Sequence, residues 1–203
     1  MTLPTISSAS YNASTGTLEI TGNNFSAYTG STNDIDISKL TITGNGGSTY
    51  VLTSDDVEIT SSTEFSITLN AADQLQLAGL LNKNGTSSGT GTTYNIAAVD
   101  DWAPGADTST DISDLNGNAI TVFNVLSPTL TSATFDTSTG ILSLIGSNLP
   151  AYPGTSNDID VSKLTITGNG ESTYTLTSTD VELTSNTSAS ITLNTSDQTN
   201  LVS

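Results

Sequence analysis

The sequence has no cysteine, no histidine and no arginine, and only three lysines, Lys39, Lys83 and Lys163. Without Cys or His there is no Ser-His or Cys-His catalytic pair, no zinc site of the usual kind and no disulfide. Three cations against 20 Asp and Glu leave a formal net charge of -17. Nothing in the chain can neutralise phosphates, which excludes a nucleic-acid or anionic-membrane binder. No run approaches the ~20 apolar residues that a bilayer-spanning helix needs, so membrane insertion is not expected. Aromatic residues make up 5% of the chain, too few to line a sugar cleft. No export signal precedes Leu3, so the chain reads as a processed or excised piece.

What is abundant is Thr, Ser and Asn: 38, 30 and 18 residues of 203, about two-fifths of the chain. Such a composition favours strands and turns. The length allows one large domain or two of immunoglobulin size.

The chain repeats itself. With Pro4 set on Pro128, 46 of the 76 aligned pairs are identical, about 60%. The clearest block runs from Asn33-Asp34-Ile35-Asp36 through Lys39 to Gly46. Its copy runs from Asn157-Asp158-Ile159-Asp160 through Lys163 to Gly170. A fixed period of 124 residues is too long for a solenoid unit and fits a whole β-sandwich domain. The expected domains are residues 1–126 and 127–203. The second is incomplete: Ser203 aligns with Gly79, so it has no equivalent of residues 80–126. Either the natural protein continues, or another chain supplies the strands.

Along the first copy, the period-two alternation predicts strands at 3–11, 17–22, 39–43, 49–53, 56–60, 64–69, 94–99 and 119–125. Asn70 is placed to cap a helix over about 71–82, with Asp73 at its third position and Gly85 as terminator. Leu126-Ser127-Pro128 is a short linker. The fold class expected is all-β: tandem Ig-like β-sandwich domains with one short helix, the second copy truncated.

Carboxylate placement carries the functional expectation. If strands alternate between two poles, the loop at 23–38 and the long acidic loop at 100–118 share one pole. Asp34 and Asp36 then face Asp100, Asp101, Asp107, Asp111 and Asp114, with Asn116 beside a glycine. Converging carboxylates repel unless a cation binds or some stay protonated. Ca²⁺ suits such oxygen-rich loops, although the spacing is not that of an EF-hand. The alternative is a solvated acidic loop. No acid–base pair of the glycosidase type stands out. Trp102 is either a ligand platform or a plug beneath the acidic loop. The matched pairs Tyr28/Tyr152 and Tyr50/Tyr174 read as core or strand-face residues. Asp55-Asp56 reads as a turn. Glycosylation triplets begin at Asn12, Asn24, Asn84, Asn186 and Asn194 and arise easily by chance in this composition.

The segments Gly22-Asn-Asn-Phe25, Asn33-Asp-Ile-Asp36, Lys39-Leu-Thr-Ile-Thr-Gly44 and Thr93-Tyr94 through Asp101-Trp102 resemble the Ig-like, calcium-associated tandem repeats of giant bacterial surface proteins and adhesins. The resemblance implies an extracellular, cell-surface setting and a rod of modules stiffened by Ca²⁺. The partners it implies are neighbouring repeats or other copies of the chain. The leading expectation is thus a non-catalytic structural or adhesin module. Two others stand beside it. One is a self-assembling filament or layer subunit that accepts a donated strand in its second copy. The other is a Ca²⁺-dependent carbohydrate-binding module with a glycan near Trp102 or Tyr28.

Overall fold

The computed structural model describes residues 2–106 and 109–202. Two compact units emerge, Met1–Leu126 and Ser127–Ser203. The described residues form strands and two short helices, so the chain is all-β in class.

Unit 1 contains β1 (Thr5–Asn12), β2 (Thr17–Asn23), β3 (Leu40–Thr43), β4 (Thr49–Val51), β5 (Glu64–Thr68), helix α1 (Ala71–Leu80), β6 (Asn95–Ala98) and β7 (Ala119–Phe123). Hydrogen bonds join the strands in the order β4-β3-β6-β7-β1-β2-β5. All neighbouring pairs are antiparallel except β1 and β7, which run parallel from Ser8↔Ala119 to Asn12↔Phe123.

The period-two pattern explains the core. Leu18 and Ile20 on β2, Phe65 and Ile67 on β5, Leu40 and Ile42 on β3, and Ile96 and Ala98 on β6 are buried. Ile120 and Val122 of β7 and Ala9 and Tyr11 of β1 join them. Their neighbours Thr17, Glu19, Glu64, Ser66 and Thr121 are exposed or half-buried. A sheet that buries one face in this way curls so that the face closes on itself. Leu77 and Leu80 of α1 are buried with it.

Two local features recur in both units. The first strand of each pair carries a bulge, between Ile6 and Ser8 and between Leu130 and Ser132. Beside it a glycine is obligatory: a Cβ on Gly22 would lie 2.0 Å from the Thr5 carbonyl oxygen, and one on Gly146 2.2 Å from that of Thr129.

Unit 2 contains β8 (Thr129–Asp136), β9 (Ile141–Ser147), β10 (Thr165–Thr167), β11 (Thr173–Thr175), β12 (Ser188–Thr192) and helix α2 (Thr195–Val202). Its strands form the sheets β12-β9-β8 and β10-β11.

Three expectations need correction. Residues 56–60 are not a strand. Val57 makes an isolated bridge to Ile35, and the next peptide that would extend it, Ile59 N–H, donates to the Asp34 carboxylate at 2.8 Å instead. The helix ends at Leu80, because Leu81 leaves helical geometry at φ -100, ψ 52. Gly85 is not its terminator; it exchanges two 2.8 Å hydrogen bonds with Val122. Finally, the described residues hold two α-helices and not one. Asn194 repeats Asn70 and accepts from the Asp197 N–H at 2.8 Å, as Asn70 accepts from Asp73.

Candidate functional site: an acidic pole and two buried carboxylates

The two acidic stretches meet. The Asp36 N–H donates to the Trp102 carbonyl at 2.9 Å, and the Val99 N–H to the Lys39 carbonyl at 3.1 Å. Asp114 Oδ2 accepts from the Ile6 N–H at 2.8 Å, which ties the far end of the acidic loop to the start of β1. The parallel pairing of β1 and β7 produces this convergence, since it puts residues 5 and 118 at one pole.

Five of the carboxylates at this pole accept hydrogen bonds from the chain's own donors. Asp34, fully buried, accepts from the peptide N–H of Tyr28 through Oδ1 and of Ile59 through Oδ2. Asp36 Oδ1 accepts from the Ser38 N–H at 3.0 Å and its hydroxyl at 2.6 Å. Asp100 Oδ1 accepts from Asp101 N–H at 3.0 Å and Ile112 N–H at 2.9 Å. Asp111 is exposed and accepts from Ser113 N–H at 2.8 Å; hydrogen bonds from Ser113, first its side chain and then its backbone, lower its pKa. Asp114 Oδ1 accepts from Asn118 Nδ2 at 2.8 Å. Asp101 sits exposed in a left-handed turn at φ 62, and Asn116 is exposed. Asp107 lies outside the described residues. Among the described residues, no group of three or more acidic side chains is arranged to hold a metal ion.

Trp102 is the plug. It is wholly buried, donates from Nε1 to the Ile112 carbonyl at 2.8 Å, and meets Phe25 edge-on at 5.8 Å between ring centres. Phe25 in turn meets Phe65 at 5.1 Å. As a glycan platform it has no accessible face. Tyr28 is 49% exposed and not part of the core.

A second pair of carboxylates escaped the sequence reading. Asp73, fully buried, accepts from Tyr50 Oη at 3.0 Å, Thr53 N–H at 3.0 Å, Thr53 Oγ1 at 2.6 Å, Ser54 N–H at 2.9 Å and Ser54 Oγ at 2.6 Å. The network closes on the helix cap: the Asn70 N–H donates to Ser54 Oγ at 2.8 Å and Asn70 Nδ2 to Thr53 Oγ1 at 3.1 Å. Asp197 repeats every contact with Tyr174, Thr177, Ser178 and Asn194. The signal was present as the recurrence of Tyr, Thr-Ser and Asn-x-x-Asp at matched positions.

Burial pushes the Asp197 carboxyl up, but hydrogen bonds from Ser178, Thr177 and Tyr174 outweigh it and hold the pKa at about 2. Tyr11 is driven the other way, to about 12, by burial and then by the Asp73 charge.

No family model matches the chain, and no curated protein matches it.

Two outcomes are expected. Asp73→Ala strands buried N–H and O–H donors and should cost unit 1 about 3–5 kcal/mol. Urea unfolding followed by the fluorescence of Trp102, the single tryptophan, reads that unit alone; a loss below about 1 kcal/mol would show that the cluster is dispensable. For Asp197 the folded pKa is depressed, so its contribution is complete above the ordinary value of 3.8 and disappears as pH falls through about 2. Hydrogen exchange at the Thr177 and Ser178 amides should accelerate in that window, and Asp197→Asn should remove the dependence.

Proposed function

We propose that the chain is a non-catalytic structural segment of an extracellular surface protein, built from tandem Ig-like β-sandwich modules that carry tension. The observation that supports this most directly is the placement of the first and last strands of unit 1. β1 and β7 lie side by side and parallel over five residue pairs. The chain enters at the start of one and leaves at the end of the other, so its ends emerge at opposite poles. Tension applied along the chain therefore loads that ladder in shear, straining its hydrogen bonds together and not one at a time. Loops held by buried carboxylates, with only three residues (Leu126-Ser127-Pro128) as expected linker, suit the same role. The duplication of Asp34, Asp73 and their donors as Asp158, Asp197 and theirs argues for a repeated mechanical unit.

The absence of cysteine makes the test direct, because engineered Cys handles are unique. Pulling unit 1 from positions 5 and 123 should require several times the force needed from positions 5 and 23, which sit opposite each other and peel apart. Equal forces in the two geometries would sink the proposal.

Calcium is the second reading. It is favoured by the Asp36–Trp102 hydrogen bond, which draws Asp36 towards the Asp100-Asp101 turn. It calls for a melting temperature that rises in millimolar Ca²⁺ and falls in chelator. Superimposed curves would remove calcium and leave the hydrogen-bonded carboxylates as the stiffening element.

A further inference from the structure

Unit 1 holds three Asn-Gly pairs: Asn45-Gly46, Asn84-Gly85 and Asn116-Gly117. Asparagine is among the thermolabile residues, and a glycine after it leaves the next peptide nitrogen unshielded by a Cβ. The three pairs are held differently. In the first, Asn45 Oδ1 accepts from Thr90 Oγ1 at 2.9 Å, and the Gly46 N–H donates to that same hydroxyl at 3.0 Å. In the second, Asn84 Oδ1 accepts from the Val125 N–H at 3.0 Å, and the Gly85 N–H donates to the Val122 carbonyl at 2.8 Å. Asn116 and Gly117 form an exposed bend. Among the described residues neither the Asn116 side chain nor the Gly117 N–H has a hydrogen-bond partner. A Cβ built on Gly117 would meet nothing within 4 Å.

We propose that Asn116 is a site of spontaneous covalent modification, converted by water to aspartate or isoaspartate, and that the fold protects Asn45 and Asn84 from the same reaction. The step needs no enzyme and no oxidant. The Gly117 peptide nitrogen gives its proton to solvent and bonds to Asn116 Cγ. The Cγ–Nδ2 bond breaks, and Nδ2 takes a proton and leaves as ammonia. Water then opens the cyclic imide, its hydroxyl adding to a carbonyl carbon and its proton returning to the nitrogen. Opening at Cγ restores the main chain as aspartate; opening at the main-chain carbonyl leaves isoaspartate. At Asn45 and Asn84 the attacking N–H and the side-chain amide are both engaged elsewhere, so attack must wait until those hydrogen bonds break.

The bend is pinned on both sides. Asp114 exchanges two 2.8 Å hydrogen bonds with Ala98 and accepts from the Ile6 N–H at 2.8 Å. The Asn118 N–H donates to Asn95 Oδ1 at 3.0 Å, and Asn118 Nδ2 to the Ile96 carbonyl at 3.1 Å. Isoaspartate routes the main chain through the side chain, which inserts one extra carbon between these pins, just before β7. Either product adds a carboxylate to the acidic pole. The inference goes beyond the tension-bearing role and is independent of it.

The test incubates the folded full chain in mildly alkaline buffer made with heavy-oxygen water and follows the label at each position by mass spectrometry of proteolytic fragments. Label should enter position 116 at least about tenfold faster than positions 45 and 84. In concentrated urea, which frees all three pairs, the rates should converge. Thr90→Ala removes the hydroxyl that holds both reactive groups of the first pair, so it should accelerate position 45 and leave position 84 unchanged. Equal rates in the folded chain, or a preference for position 116 that persists unchanged in urea, overturns the proposal. So does an unchanged rate at position 45 in the Thr90→Ala chain.

Discussion

The structure depends on a carboxylate that has no cation to pair with. Asp73 and Asp197 are fully buried in a chain with three lysines and no arginine. A buried charge in that position survives only if hydrogen-bond donors replace its water. Here they come from two consecutive peptides, two hydroxyls and a tyrosine. The tyrosine lies on β4 or β11 and the other donors on the Thr-Ser pair just beyond it, so the carboxylate fixes the end of that strand to the helix in a single geometry. The same logic governs the buried Asp34, and the half-buried Asp158 repeats its bonds; each binds a peptide N–H 25 residues downstream. The abundance of Thr and Ser is then more than strand propensity. In this protein hydroxyls do the work that arginine does elsewhere, and they do it without reducing the negative charge of the surface.

That substitution also explains the acidic pole. Repulsion among Asp34, Asp36, Asp100 and Asp114 is reduced because most of them are neutralised locally by backbone dipoles. Peptide N–H groups aimed at a carboxylate are fixed partial positive charges. Several serve a second purpose as turn caps, as in Asp36–Ser38 and Asp160–Ser162. The pole is therefore assembled by the same interactions that order its loops.

Much of this was legible in the residues. The repeat, the alternation in β2 and β5, and the Asn70–Asp73 cap are local patterns, and local patterns report local structure. The strand expected at 56–60 failed because its alternation, Val57 and Ile59, was real but the Ile59 N–H was already claimed by Asp34, 25 residues upstream. A competing long-range acceptor leaves no trace in a period-two count. The parallel partnership of β1 and β7 was equally hidden, since it joins residues more than a hundred positions apart. The pole assignment nevertheless followed from the direction the last strand must take. The Asp73 cluster could have been sought among the polar residues that recur in both copies, in a segment where 19 of the 27 positions from 48 to 74 recur. Tyr50, Thr53, Ser54, Asn70 and Asp73 all do, while Phe65 becomes Ala189 and Leu75 becomes Thr199.

The duplication turns the molecule into its own comparison. Both units keep the clamps, the bulge and the short helix. The units part company at the first strand and at β10, where Ile166, like Leu164 just before it, is half-buried and the counterparts Ile42 and Leu40 on β3 are buried. β1 and β8 have closely related sequences and identical bulge positions, yet one is sealed and the other is exposed along nearly its whole length. Propensity and pattern are thus enough to make the strand, and burial is conferred separately by the partner that runs beside it. In unit 1 that partner, β7, also closes the sheet between β6 and β1. One strand therefore completes the core, sets the poles that bring the acidic loops together, and forms the ladder through which tension would pass.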